Sequence, residues 1–268
     1  MTPETISVVI PTRNIAAWLP RALASIEVQE GPWHVVGVDS ASTDGTREIW
    51  ADFAIRQPGR VTVLDEPKAR LSEAVNLGVV AAAPGLVQWI GGDDRLPPDA
   101  HSHLRAARKL HPDAGWFVGQ LRFCDEIGRE VRVQHPEPWN HARALRGNPL
   151  GAPAVVYDRH FAICSGLTSP LLRRSMDYDW WFRMAALAQP VLVDAVLGEF
   201  TLRHEALSGV QHSPETFHEA MRVRLMHTRW QRADLLQMTT FFAKVYGPME
   251  LKLLLRPYLV PLRDRFLR

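Results

Sequence analysis

Leu86-Val87-Gln88-Trp89-Ile90-Gly91-Gly92-Asp93-Asp94 joins a short apolar run to two glycines and two adjacent carboxylates. Pro84-Gly85 bounds the run on its other side, so it reads as a buried strand. Two neighbouring carboxylates at the carboxyl end of such a strand resist burial unless something neutralises them. A hard divalent cation, Mg2+ or Mn2+, prefers oxygen ligands and does this well. The stretch therefore reads as a metal site at the lip of an open α/β sheet, where ligands of such folds bind. The same residues fit a polar turn capping a helix that starts near Pro97, since Asp is common at turns and caps. The rest of the chain favours the site.

Working outward, the first hundred or so residues alternate strand and helix. Ile6–Ile10 is β-rich and stops at Pro11, and a helix carries Trp18, Leu19, Ala22, Leu23 and Ile26 at helical spacing. His34–Val38 is a second strand ending at Asp39, and Ser42–Thr46 starts a helix running through Ile49, Phe53 and Ile55. Val61–Leu64 is a third strand, Leu71–Ala82 a third helix, Leu86–Ile90 the fourth strand, and Pro97-Pro98-Asp99 opens another helix. This βαβαβαβ order implies a mostly parallel sheet with right-handed crossovers. Beyond it, Trp116–Phe123 and Glu130–Gln134 read as a strand pair, Pro136–Pro153 as a loop and Ala154–Tyr157 as a strand. Asp177–Leu187 reads as a helix, Val191–Val196 as extended and Gly198–Arg203 as a strand; from Pro214 the pattern is helical.

The 268 residues suffice for one large α/β domain or two small ones. With 46% hydrophobic and 22% charged residues the composition is that of a globular protein, and a net charge of +2 gives no bulk attraction to nucleic acid. Cys124 and Cys164 have no zinc-like spacing and are expected as core thiols in a reducing cytoplasm. The first residues show no basic region followed by an apolar signal-like run, and no apolar run approaches the ~18–20 residues that spanning a bilayer needs.

Polar residues cluster where the early strands end: Pro11, Thr12, Arg13 and Asn14 after the first, Asp39 and Ser40 after the second, Asp93 and Asp94 after the fourth. All fall on one edge of a parallel sheet. The lack of a G-x-G-x-x-G after the first strand argues against a dinucleotide-type site, and the absence of G-x-x-x-x-G-K-[ST] excludes a P-loop. A nucleotide held here needs a metal for its diphosphate.

At these residues the chain resembles the family 2 glycosyltransferases, whose fold is GT-A. The matching segments are Ser7–Asn14, Val38–Thr46, Leu71–Gly78, Asp93-Asp94, Asp177-Tyr178-Asp179-Trp180-Trp181 and Arg203-His204. Their order and spacing carry the resemblance, which covers about residues 5 to 210. It implies a nucleotide-diphospho-sugar transferase fold: a Rossmann-like, mostly parallel sheet flanked by helices. Residues 1–210 would form the catalytic domain and 211–268 a helical C-terminal extension.

The resemblance implies roles. Pro11, Thr12, Arg13, Asn14 and Asp39 would bind the nucleoside, and Asn76 would position nucleotide or sugar. Asp93 would hold ribose or sugar and share the metal with Asp94; His204 would touch metal or diphosphate. Asp177 would be the catalytic base, with Asp179 able to exchange roles with it. Trp180 and Trp181 offer faces that suit sugar rings, although tandem aromatics on a helix also read as core. Asn148-Pro149-Leu150-Gly151-Ala152-Pro153 resembles the acceptor-side stretch of relatives. Departures are visible: Ser40-Ala41 replace the Asp-Gly of the usual D-D-G-S, Gly91 stands where an acid is frequent, Glu66-Pro67-Lys68 where relatives carry a further Asp, and Met176 where a Glu often precedes Asp177.

The expected activity is transfer of a sugar, with inversion, from a UDP-, GDP- or dTDP-linked donor to a glycan or lipid-linked acceptor, assisted by Mn2+ or Mg2+, in polysaccharide or glycoconjugate assembly. Two rivals remain at this level: a nucleotidyltransferase of similar sheet, and a non-catalytic nucleotide- or glycan-binding relative. The basic, partly apolar stretch Phe241–Arg268 fits either the inner membrane surface or packing on the catalytic domain or a partner subunit. Oligomeric state is open.

Overall fold

The computed structural model describes residues 4–203 and 214–229. The chain divides into two compact units, residues 1–139 with 150–223 and residues 140–149 with 224–268. The larger unit takes in residues 214–223, which the sequence reading placed in the extension.

The larger unit begins as read. Strand β1 (Ile6–Thr12) leads to helix α1 (Leu19–Glu27), β2 (Trp33–Asp39), α2 (Thr46–Arg56), β3 (Val61–Asp65), α3 (Leu71–Ala81), β4 (Leu86–Trp89) and α4 (Ala100–Leu110). β1 continues through Pro11, where the sequence suggested a stop. The register explains this: β1 pairs with β4 only as far as Val9, and Pro11 alternates onto that vacated side, where a missing N–H costs no ladder bond. Thr12, on the other side, still pairs with Asp39 of β2.

The second half is more mixed than a mostly parallel sheet. It comprises β5 (Trp116–Cys124), β6 (Glu130–Gln134), β7 (Val155–Asp158) and β8 (Val191–Thr201). The order is β3-β2-β1-β4-β7-β5-β6, with β8 also on β5. β1 to β4 are mutually parallel, β7 is antiparallel to β4 and β5, β6 is antiparallel to β5, and β8 is parallel to β5. β8 is one strand rather than two segments; its register on β5 shifts near Gln120, so a bulge stands where the sequence showed a break. The loop read over 136–153 contains a short helix, α5 (His141–Ala144), in the smaller unit, where His141 Nε2 donates to the carbonyl of His227 at 2.9 Å. A 3-10 turn (Ala152–Ala154) and helices α6 (Arg159–Cys164), α7 (Met176–Leu187) and α8 (Pro214–His227) complete the described elements. α6 escaped the sequence reading: at six residues it is too short to show a period.

Helices cover both sheet faces. Val8 and Ile10 are wholly buried in one cluster with Leu19, Leu23 and Ile26 of α1 and Trp50 and Phe53 of α2. Val9, pointing the other way, meets α3 so closely that a Cβ on Gly78 would lie 2.2 Å from its Cγ1. Burial on both faces is why these strands are continuous apolar runs. Cys124 is buried as expected; Cys164 on α6 is exposed, because its short helix lies at the surface.

Candidate functional site

The carboxyl ends of β1 and β2 form one braced corner. Asp39 is 2% exposed. Its Oδ2 accepts from Thr12 Oγ1 at 3.0 Å and Ser42 Oγ at 2.6 Å, and its Oδ1 from the Ser42 amide at 2.9 Å. Trp50 Nε1 donates to Thr12 Oγ1 at 3.1 Å, which fixes the hydroxyl toward Asp39. The next residues are stitched across: the Asn14 amide donates to Ser42 Oγ, Asn14 Oδ1 accepts from the Thr43 amide, and the Ala16 amide donates to Asp44, each at 2.9 Å. The hydroxyl of Thr46, helped by the backbone amides of Ala16, Thr46 and Asp44 itself, holds Asp44 below the usual carboxylate range against the opposing effect of desolvation. Pro11 is half-buried at this corner, while Arg13 and Asn14 are exposed at its rim. Asp65, at the end of β3, pairs in register with Asp39 and is bridged to Arg47. Asp65 lies one residue ahead of Glu66-Pro67-Lys68, the stretch where the resemblance places a further Asp.

The loop after β4 forms the second corner. Asp94 is 4% exposed, with Oδ2 accepting the Gly91 amide and Oδ1 the Thr201 amide, both at 3.0 Å. Asp93 Oδ2 is bridged to Arg203 at 2.8 Å, and Arg203 lies 4.7 Å over the Trp18 ring. Behind them Arg95 and Glu199 exchange backbone hydrogen bonds at 3.0 and 2.8 Å, and Glu199 also bridges Arg95 and Arg122. The end of β8 thus holds the Asp93-Asp94 loop. Burial, reinforced by the charge of Asp93, pushes Asp94 up to about 8, while the two amides and Arg203 oppose the rise.

Gly91 shows what this corner can hold. A Cβ there would lie 2.7 Å from Asp93 Oδ1 and 2.9 Å from Asp94 Oδ2, so both oxygens face the space its missing side chain leaves. Asp93 Oδ1 accepts no hydrogen bond among the described residues. Two converging carboxylate oxygens with a carboxyl made hard to ionise fit a divalent cation. Among the described residues no cluster of three or more His, Cys, Asp or Glu side chains could hold a metal. Mg2+-type sites commonly use one or two carboxylates plus the substrate's phosphates, so the pair suffices. His204 lies outside the described residues, as does Phe241–Arg268.

The remaining expected residues take other places. Asn76 is turned onto Thr168: its Nδ2 donates to the Thr168 carbonyl at 2.8 Å and its Oδ1 accepts the amide at 2.9 Å and the hydroxyl at 2.7 Å. Both ends of its amide take part in this clamp to Thr168. Trp180 and Trp181 are 0% exposed. Trp181 stacks on Trp116 at 6.3 Å, and Trp180 packs on Tyr157 at 4.7 Å and donates to Ser165 Oγ at 2.7 Å. Neither offers a face to an acceptor sugar; α7 is buried nearly all round, and the core reading of the pair applies. Asp179 is 6% exposed and bridged to Arg183, one turn on, at 2.9 Å. Arg183 in turn donates to the carbonyls of Ser165 and Leu167. Asp177, half-buried in the first turn of α7, accepts the Tyr178 amide at 2.7 Å. Asn148 is exposed and belongs to the smaller unit.

A sheet of this order, with a braced acid at the end of β2 and a carboxylate pair after β4, defines a GT-A-type α/β transferase. In structure the chain is similar to the TarS 1–349 fragment of S. aureus in complex with UDP-GlcNAc, with a TM-score of 0.69 at 19% identity over 90% of this chain and 73% of that one. It is also similar to the mannosyltransferase PcManGT from Pyrobaculum calidifontis in complex with GDP-Man and Mn2+, with a TM-score of 0.57 at 17% identity over 97% and 80%. In sequence it is 32% identical over 198 residues to the uncharacterized protein MT1568 of Mycobacterium tuberculosis, covering 67% of this chain and 61% of that one. It is 27% identical to a PGL/p-HBAD biosynthesis glycosyltransferase of Mycobacterium bovis, covering 80% and 81%. Residues 7–166 match glycosyl transferase family 2, and the chain belongs to that family: it is a glycosyltransferase. No helix among the described residues is long and apolar enough to cross a membrane.

Proposed function

We propose that this glycosyltransferase moves a sugar from a nucleoside-diphosphate donor to an acceptor hydroxyl with inversion at the anomeric carbon. The observation that carries this reading is the convergence of Asp93 Oδ1 and Asp94 Oδ2 over Gly91, on the sheet edge that also presents the Thr12–Asp39 corner. Pro11, Thr12, Arg13, Asn14 and Asp39 hold the nucleoside end; Asp39 keeps acceptor capacity on Oδ1, which takes one protein hydrogen bond. Asp93 and Asp94 hold Mn2+ or Mg2+, which when bound offsets the diphosphate's charge. The solved neighbours with UDP-GlcNAc and with GDP-Man and Mn2+ support this choice of donor class and ion.

Asp177 takes the proton of the acceptor hydroxyl as its oxygen bonds to the anomeric carbon. The bond to the nucleoside diphosphate breaks on the opposite face, so the centre inverts. Asp179 braces the helix that carries the base. The acceptor is a glycan or a lipid-linked glycan, in assembly of a cell-envelope glycoconjugate or polysaccharide, a choice supported by the biosynthetic role in the mycobacterial relative's name.

Thermal shifts with UDP-, GDP- and dTDP-sugars, each with Mn2+ and with EDTA, test the donor side; a Mn2+-dependent rise with one nucleotide is expected. Asp177→Asn should keep that shift and lose about 10²- to 10⁴-fold in transfer. Full transfer by Asp177→Asn would sink the base assignment. Diphosphate release from a nucleoside triphosphate would indicate a nucleotidyltransferase instead, and donor binding without turnover a binding protein.

A further inference from the structure

We propose that Glu219, on α8, is a positioning residue for the catalytic base. This rests on the reading of Asp177 as that base. The three residues before α7 turn successive amides toward one point: the Arg173 amide donates to Glu219 Oε1 at 2.8 Å, and the Arg174 and Ser175 amides donate to Oε2 at 2.7 and 3.0 Å. Such a nest is an anion site made of backbone, and here its anion is a side chain 44–46 residues further along the chain.

The N-cap of helix α7, Ser175, makes no side-chain capping bond, and the first-turn amide of Tyr178 is taken by Asp177 Oδ1. Glu219 takes the three amides just ahead of that turn, ending with the N-cap amide, and so fixes the backbone two residues before Asp177. A second brace lies one turn on, where Asp179 and Arg183 hook α7 to the Ser165–Leu167 carbonyls, and the Asn76–Thr168 clamp ties that turn to α3. The hook fixes α7 further along, whereas Glu219 fixes the end that carries the base. Displacing a reacting group by about 1 Å costs on the order of a hundredfold in rate, so the position of this turn is felt in turnover before it is felt in donor binding.

Glu219→Gln in the full chain tests the proposal. Glutamine keeps one acceptor oxygen and turns an NH2 group toward at least one of the three amides, so the nest loses its match. Turnover is read as nucleoside-diphosphate release from UDP-GlcNAc and GDP-mannose with Mn2+ and water as acceptor, donor affinity by calorimetry, and nest order by hydrogen exchange of the 173–175 amides. The expected result is turnover reduced about ten- to a hundredfold, donor affinity unchanged within about twofold and faster exchange at 173–175. Glu219→Asp keeps both oxygens on a shorter arm and should fall between; it also serves if Glu219→Gln does not fold. Wild-type turnover overturns the proposal, as does unchanged exchange at 173–175, or a loss of donor affinity equal to the loss of turnover. Asp177→Asn at wild-type turnover overturns the base reading instead. An inactive Asp177→Asn beside a fully active Glu219→Gln overturns the positioning role alone.

Discussion

Gly91→Ala places a methyl group between the two carboxylates of the site. The backbone at Gly91 is not left-handed, so alanine adds no conformational strain of its own. The new Cβ would stand 2.7 Å from Asp93 Oδ1 and 2.9 Å from Asp94 Oδ2, against an ordinary contact of 3.4–4 Å. Each oxygen must retreat by about half an ångström or more, the kind of overpacking that costs about 1–3 kcal/mol. Asp93 can swing at the end of its side chain, dragging on Arg203. Asp94 cannot: it is buried and holds the Gly91 and Thr201 amides with its two oxygens. Stretching those bonds on a buried carboxylate costs about 1–3 kcal/mol, part of it the same displacement already counted, so the net loss in urea denaturation should be about 2–3 kcal/mol. The shift also spoils the oxygen pair proposed to meet the cation. Calorimetric titration with UDP and Mn2+ should then show at least about a tenfold loss of affinity, or about 1.4 kcal/mol. Gly92→Ala is the control, since its Cβ would meet Ile15 carbons at 3.0 and 3.2 Å and no carboxylate among its nearest neighbours. Wild-type stability together with wild-type Mn2+-dependent UDP affinity in Gly91→Ala would refute the reasoning.

Two further outcomes follow from the same geometry. Asp94 is raised to about 8 from 3.8, so in metal-free buffer its contribution is complete below about pH 4 and is lost as pH rises through about 8. Stability in EDTA should therefore fall between about pH 5 and about pH 8, and Asp94→Asn should flatten that fall; an equal slope in both proteins would count against the assignment. Asn76→Ala removes three hydrogen bonds to Thr168 and should cost about 2–3 kcal/mol in denaturation with donor affinity unchanged. Lost donor affinity at unchanged stability would instead return Asn76 to the nucleotide.

Much of the frame was legible because it is written locally. Alternating apolar runs and helical spacing placed β1 to β4 and α1 to α4 within a few residues, and polar residues at strand ends marked one edge of the sheet. Ala41 shows a local sign that would mislead. It replaces the glycine of the related motif, yet adopts φ 58°, a left-handed conformation costing an L-residue about 1–2 kcal/mol. The turn is held there by the bonds of Ser42 to Asp39. In the second half β5 to β7 were legible as strands, but the insertion of β7 antiparallel between β4 and β5 was not, because strand direction is set by distant partners; the six-residue helix α6 carries little periodicity, and the bulge in β8 reads as a break.

The sequence by itself determined the fold class, the sheet edge and the residue types gathered on it, since side-chain period and strand-end chemistry are properties of neighbouring residues. Only the tertiary structure decided which of those residues are taken up in bonds that hold the protein. Asp94 finds Thr201 107 residues away, Asp93 finds Arg203 at 110, and Asn76 finds Thr168 at 92. Trp180 and Trp181 are core because Trp116 and Tyr157, from distant strands, cover them. A side chain's hydrogen-bonding capacity is fixed by its type, but what consumes that capacity is set by whatever the fold brings within about 3 Å, and no local pattern records that distance.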